Sequence, residues 1–138
     1  MPFDSDVSTS PLVSLLHRKQ TAYLNGKLKD VNLSSGLYPI LIKVYKNSKI
    51  SQEELASELH VNESTVTRNL DKLEKKGLIA KTPEKRKKII SVTPKGAEIA
   101  QKVMDFDARW DDKIKKNLTD SEFKDFQKLL IKICEELI

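Results

Sequence analysis

Residues 50–96 read ISQEELASELHVNESTVTRNLDKLEKKGLIAKTPEKRKKIISVTPKG, and the order of signals in this stretch decides the fold. Ser51-Gln-Glu-Glu54 predicts a helix start, with a Ser N-cap and a Glu three residues on forming a capping box, and Leu55, Ala56 and Leu59 supply its buried side. A second helix opens at Asn62, a strong N-cap residue, and runs from Glu63 to Lys76. It stops at Gly77, the residue type best suited to the left-handed position after a helix. The runs Leu78–Lys81 and Lys88–Val92 read as strands, Thr82–Lys87 lies between them, and Thr93-Pro94 opens another helix as an N-cap followed by Pro. Helix, turn, helix, hairpin, helix is the order of a winged helix-turn-helix, a shape that places its second helix in a DNA groove.

The free face of that second helix bears on function. Val66, Leu70 and Leu73 keep the spacing of a buried stripe, which puts Ser64, Arg68, Asp71 and Lys75 roughly opposite, with Thr65 and Thr67 on the flanks and Lys72 beside Arg68. Small hydroxyls followed by Arg and Lys suit close approach to base edges and phosphates, although a solvated charged face has the same composition. The hairpin tip sharpens the choice, because Lys85, Arg86, Lys87 and Lys88 crowd against a single Glu84. Such like charge needs a polyanionic partner. From Lys43 to Lys95 there are thirteen Lys plus Arg and seven Asp plus Glu, a net +6, whereas the remainder nets −1. Lysine is the default cation, with 21 copies against four Arg, yet Arg68 and Arg86 fall on the helix face and the wing tip, where planar multi-donor geometry is useful. The residues expected to meet DNA are Ser51, Gln52, Ser64, Thr65, Thr67, Arg68, Lys72, Lys75, Lys81, Lys85, Arg86 and Lys87.

A length of 138 residues allows one domain or one protomer of an intertwined dimer. One cysteine, Cys134, excludes an internal disulfide framework and fits a reducing compartment, and late in a helix it reads as a small apolar core thiol. The first ten residues lack the pattern of a secretory leader and no apolar run reaches transmembrane length, so a cytoplasmic protein without a membrane role is expected.

The flanks are helical. A first helix is predicted from about Pro11 to Asp30, and a second from about Leu37 to Lys46 with Pro39 in its first turn. A long helix runs from Pro94 to about Asn117 with Ile99, Val103, Phe106, Trp110 and Ile114 at three- and four-residue steps. Thr119-Asp-Ser-Glu122 is a second capping box, followed by the seam Phe123, Phe126, Leu130, Ile133 and Leu137. These helices would leave apolar patches uncovered unless a second copy met them, so Leu12, Leu16, Trp110, Phe123, Phe126, Leu130, Ile133 and Leu137 are assigned to dimerisation. Two-fold symmetry would place two recognition helices about 34 to 36 Å apart on a pseudo-palindromic site.

These residues resemble the MarR family of dimeric winged-helix transcriptional regulators. The resemblance is carried by Ile50–Ala56, Val61–Ile79, the wing Arg86 and Ser91–Gly96, and it extends to the order and length of the terminal helices. It implies a mainly α fold with a small β-hairpin wing, in which a winged helix-turn-helix at about residues 34–95 is flanked by dimerisation helices at about 11–30 and 94–138, all in a single domain 1–138. It implies double-stranded DNA as partner, a homodimer, and repression relieved by a small molecule, such as an aromatic or phenolic acid, bound between the dimer helices and the DNA-binding lobe. Near such a crevice His17, Arg18 and Tyr38 are the candidate ligand residues, Arg18 pairing with a carboxylate and Tyr38 stacking, with an intersubunit salt bridge as the alternative and favoured role of Arg18. Two features depart from the family pattern: Lys85 stands where many relatives have an Asp before the wing Arg, and the first helix has no sensor cysteine.

Other chemistries find little support. His17 and His60 lack metal-ligand spacing, and no glycine-rich phosphate loop, nucleophile elbow or zinc signature occurs, so neither an enzyme, a metal site nor a resident cofactor is expected. The competing reading is a non-specific architectural DNA binder, which would use the same basic wing without a base-reading helix face.

Overall fold

Helices α1 (Thr9–Leu28), α2 (Tyr38–Lys46), α3 (Gln52–Leu59), α4 (Glu63–Lys75), α5 (Pro94–Lys115) and α6 (Asp120–Leu137) are joined by strands β1 (Ile50–Ser51), β2 (Ile79–Glu84) and β3 (Lys87–Val92). The structure, a computed structural model, describes residues 3–34 and 36–138. Met1, Pro2 and Ser35 lie outside the described residues, and Thr9 already belongs to α1, two residues before the predicted start at Pro11. That helix ends at Leu28 and tightens into a 3-10 turn over Lys29–Val31.

The helix ends of the central unit follow from their capping chemistry. Asn62 Oδ1 accepts the Thr65 amide at 2.8 Å and opens α4. At the other end Gly77, with φ +74°, donates to Glu74 O, and Leu78 N donates to Leu73 O, the paired bonds of a Schellman stop. Ser51 caps α3 by accepting the Glu54 amide at 3.1 Å. The reciprocal half of the predicted capping box is absent here: the Glu54 carboxylate takes the Ser51 hydroxyl proton at 2.8 Å, because Ser51 is also a strand residue paired with Ile89. Thr119 and Glu122 form the full box, with bonds of 2.9 and 3.1 Å.

The sheet differs from expectation in two ways. Residues Ile50 and Ser51 form a strand of their own, giving the order β1-β3-β2. The hairpin is also tighter than predicted, since Pro83 pairs with Lys88 and Glu84 with Lys87, which leaves Lys85 and Arg86 as the turn. Pro83 is tolerated because β2 is an edge strand. Lys85 takes φ +58° to close the turn, a region where side chains other than Gly are uncommon.

One core holds these elements together. Val66, Leu70 and Leu73 of α4 have no exposed surface, and they meet Leu55 of α3, Leu41 and Val44 of α2, and Ile90 of β3 in the same cluster. Burial of each such side chain contributes about 1.5–3 kcal/mol, enough to fix which face of α4 points outward. Helix α5 docks closely at its start: a Cβ on Gly96 would lie 1.9 Å from the Leu78 carbonyl oxygen. Thr93 completes the joint, accepting from Gly96 N and donating to Gly77 O at 2.7 Å.

The terminal helices bring three corrections. Trp110 is 8% exposed and packs on Tyr23 of α1 with ring centroids 5.6 Å apart, and Phe123 is likewise buried within the chain. Neither is an exposed dimer contact, because α1, α5 and α6 already cover them. Cys134 is exposed on α6 rather than a core thiol, since none of the described residues packs over that end of the helix.

Candidate nucleic-acid interface

The outward face of α4 and the wing share one surface. Between the start of α3, α4 and the tip of the hairpin lies a cleft of about 230 Å³ lined by Ser51, Gln52, Glu53, Glu63, Thr67, Arg86, Lys87 and Lys88. Wing cations therefore stand opposite the helix predicted to read DNA, brought there by the β1–β3 pairing that closes the sheet against α3. Arg68, Lys72, Lys75 and Ser64 are exposed on α4, and Lys85, Arg86, Lys87 and Lys88 are exposed on the wing. Among the described residues three ion pairs form, Lys43–Glu58, Lys81–Asp71 and Lys102–Glu98, and none involves Arg68 or the wing-tip cations. The electrostatic demand read from the sequence is thus left unmet among the described residues.

Two assigned residues are withdrawn from that surface. Ser51 is 2% exposed, its hydroxyl committed to Glu54, so it serves the helix cap rather than a phosphate. Lys81 lies largely buried against α4 and pairs with Asp71. The hydrogen bond and charge of Lys81 hold the Asp71 carboxyl below its ordinary range, with Lys88 and Lys75 adding to the effect. Lys81 therefore ties β2 to the recognition helix instead of standing free. The hydroxyls at the front of α4 are also engaged: Ser64 donates to Asn62 Oδ1 at 2.8 Å, and Thr67 donates to Glu63 O at 2.8 Å while accepting from Gln52 Nε2. Lys88, which faces the cleft, escaped assignment because it reads as a strand residue; its pairing with Pro83 places it at the exposed end of the ladder.

A second hollow of about 360 Å³ lies between α2 and α5, lined by Tyr38, Pro39, Ile42, Lys43, Lys46, Val103, Met104, Asp107, Ala108 and Asp111. Tyr38 is there as expected, but His17 and Arg18 are exposed on α1 and do not join it within the chain. Its cations are Lys43, already paired with Glu58, and Lys46. Partial burial and then the Asp111 charge push the Asp107 carboxyl up, while Lys46 pulls it down; burial followed by Asp107 raises the Tyr38 hydroxyl. Among the described residues no cluster of His, Cys, Asp and Glu could hold a metal ion, and no helix is long and apolar enough to cross a membrane.

A capped helix-turn-helix, a basic two-residue wing tip and extended terminal helices define a winged-helix protein of the transcriptional-regulator class. A profile of the MarR family matches residues 33–88. The chain is 32% identical over 126 residues to the HTH-type transcriptional regulator BilQ of Clostridioides difficile (strain CD3), spanning 89% of this chain and 85% of that protein. It is 27% identical over 135 residues to the multiple antibiotic resistance protein MarR of Salmonella typhimurium (strain LT2), spanning 95% of this chain and 94% of that one. A MarR family regulator from Listeria monocytogenes, crystallised with a 26mer DNA, superposes with a TM-score of 0.85 at 25% identity, covering 95% of this chain and 89% of the other. The chain belongs to the MarR family, which comprises transcriptional regulators rather than enzymes.

Proposed function

We propose that the chain is a homodimeric, sequence-specific regulator of transcription that represses by binding double-stranded DNA at a pseudo-palindromic site. The observation that carries this reading is that Glu63 and Thr67 of α4 and the wing cations Arg86, Lys87 and Lys88 line one cleft, while among the described residues neither Arg68 nor the wing-tip cations have an ion-pair partner. Helix α4 then enters the major groove, Arg68 and its neighbours reach base edges, and Lys85, Arg86, Lys87 and Lys88 meet phosphates or the adjacent minor groove. The Listeria relative crystallised with DNA supports the same use of the fold. The dimer is supported by the apolar surface left open on α1 and α6: Leu12, Leu16, Leu130, Ile133 and Leu137, joined by Val13, Leu129, Ile131 and Ile138. The hollow between α2 and α5 joins the DNA-reading lobe to the long helix α5, and a small molecule seated at Tyr38 would bias their relative position. Lys46 replaces Arg18 as the cation available to a carboxylate there.

Selection of sites from a random duplex library by the purified protein tests the central claim, followed by affinities for the selected site and for random duplex at one salt concentration. Arg68→Ala is expected to cost about 1 to 3 kcal/mol at one base position per half-site and to relax preference there. Lys87→Ala should weaken all duplexes alike. Equal affinity of the unaltered protein for selected and random DNA would instead support the architectural reading.

A further inference from the structure

The hydrogen bonds at the cleft determine which groups on its helical wall remain free to read DNA. A threonine hydroxyl has one proton to donate and two lone pairs. The proton of Thr67 is used on the Glu63 carbonyl at 2.8 Å, so the side chain of Gln52 can meet the same oxygen only through an N–H. With that proton placed on Glu63, the amide nitrogen of Gln52 is the atom that lies toward Thr67. Thr67 has no proton left for a base acceptor, whereas Gln52 keeps one amide hydrogen and the whole carbonyl oxygen. Thr67 is the only partner of this amide among the described residues.

We propose that Gln52, on the first helix of the motif, is a specificity-determining residue that reads an adenine in the major groove, and that Thr67 acts through it as a positioning residue. This rests on the DNA-binding reading above and deepens it. When the hydrogen trans to the amide oxygen is the one given to Thr67, the cis N–H and the oxygen together match adenine, which presents N7 as acceptor and N6 as donor on its major-groove edge. A phosphate offers only acceptors and would leave the amide oxygen facing negative charge. The carboxylates of Glu53 and Glu63, from the same two helices, line the cleft with Gln52, and both disfavour a phosphate on that wall. The cations Arg86, Lys87 and Lys88 stand on the opposite, wing side, where the backbone of the duplex is expected. Orientation by Thr67 removes the rotamer freedom that a half-exposed glutamine would otherwise lose on binding.

The test is selection from a random duplex library by the full chain and by Gln52→Ala, Thr67→Val and Gln52→Glu, with the enrichment at each base position compared. Gln52→Ala should abolish a preference for A·T at one position per half-site, with a loss of discrimination of about 5- to 150-fold. Thr67→Val should weaken preference at that same position by a smaller factor and leave the others intact. Gln52→Glu, an acceptor only, should move the preference toward cytosine, whose N4 is a donor. A uniform fall in affinity with an unchanged base profile in Gln52→Ala would show a phosphate contact and overturn the inference. A Thr67→Val effect at a different position would do the same, since Thr67 would then read on its own. If the unaltered chain selects no sequence at all, the DNA-reading proposal fails with it. If it selects a site that Gln52→Ala still selects unchanged, only the role of Gln52 fails.

Discussion

The reading unit from Ile50 to Gly96 and the terminal pair α1 and α6 obey opposite surface economies. In the first, the inward-facing Leu55, Val66, Leu70, Leu73 and Ile90 are buried completely, and the exposed surface is mostly polar or charged, with Val61 its one large exposed hydrophobic residue. In the second, α6 buries Phe123 alone and leaves Leu129, Ile131 and Ile133 more than half exposed. Unmet demand of either kind suits a partner of matching chemistry, uncompensated cations a polyanion and uncovered aliphatic surface more aliphatic surface. Helices α4 and α6 are both capped by side chains, so the contrast between those two lies in tertiary packing and not in local helix formation.

The comparison breaks most directly at α6. Leu130→Asp combined with Ile133→Asp changes side chains already exposed in the protomer, so the fold should persist while the dimer dissociates. Sedimentation is expected to show a monomer at micromolar concentration, with affinity for a selected two-half-site duplex falling toward that of a single half-site. An unaltered chain that sediments as a monomer would remove the basis for assigning α6 to a second copy.

On the cationic side the effect is read through salt. Four phosphates neutralised per protomer by Lys72 and three of the four wing cations Lys85, Arg86, Lys87 and Lys88 give about eight per dimer, and a slope of log K against log salt near −7 at about −0.9 per phosphate. Lys81 is left out of this count because Asp71 holds it. Lys85→Ala, Arg86→Ala and Lys87→Ala together should flatten the slope by up to about 5 units. An unchanged slope would mean that the wing points away from the duplex.

The joint between the regions should be rigid. Gly96→Ala places a methyl against the backbone carbonyl of Leu78, which cannot move as a flexible side chain would, and a loss of about 1–3 kcal/mol or more is expected in denaturant unfolding. A variant as stable as the parent would show that α5 can shift on the wing root.

The smallest effect sharpens the hollow between α2 and α5. Because burial and Asp111 raise the folded-state pKa of Asp107 above its unfolded value, the charged carboxylate opposes folding above that raised pKa. The penalty vanishes as pH falls below the ordinary value of about 3.9. Asp107→Asn should therefore raise the Tm slightly near neutral pH, and the difference should close as pH approaches 4. A gap that widens on acidification would mean that Asp107 is held by a favourable partner rather than strained by burial.

The order of helices, the N-caps Asn62, Thr93 and Thr119, the Gly77 stop and the buried stripe of α4 are legible in the sequence, because each depends on neighbours within one or two turns. The same locality makes the outward placement of Arg68 and the basic wing readable. Only tertiary structure decided the rest. Strand β1 is two residues long and exists because β3 offers it a partner, a pairing with no local signature. That strand in turn withdrew Ser51 from the surface. Asp71 claimed Lys81 across ten residues, Gln52 met Thr67 across fifteen, and Tyr23 covered Trp110 from another helix. Each of these gives a group that sequence periodicity marks as available a partner within the chain. Periodicity fixes the direction in which a side chain leaves its own helix or strand, whereas what it meets there depends on where the core places the next element.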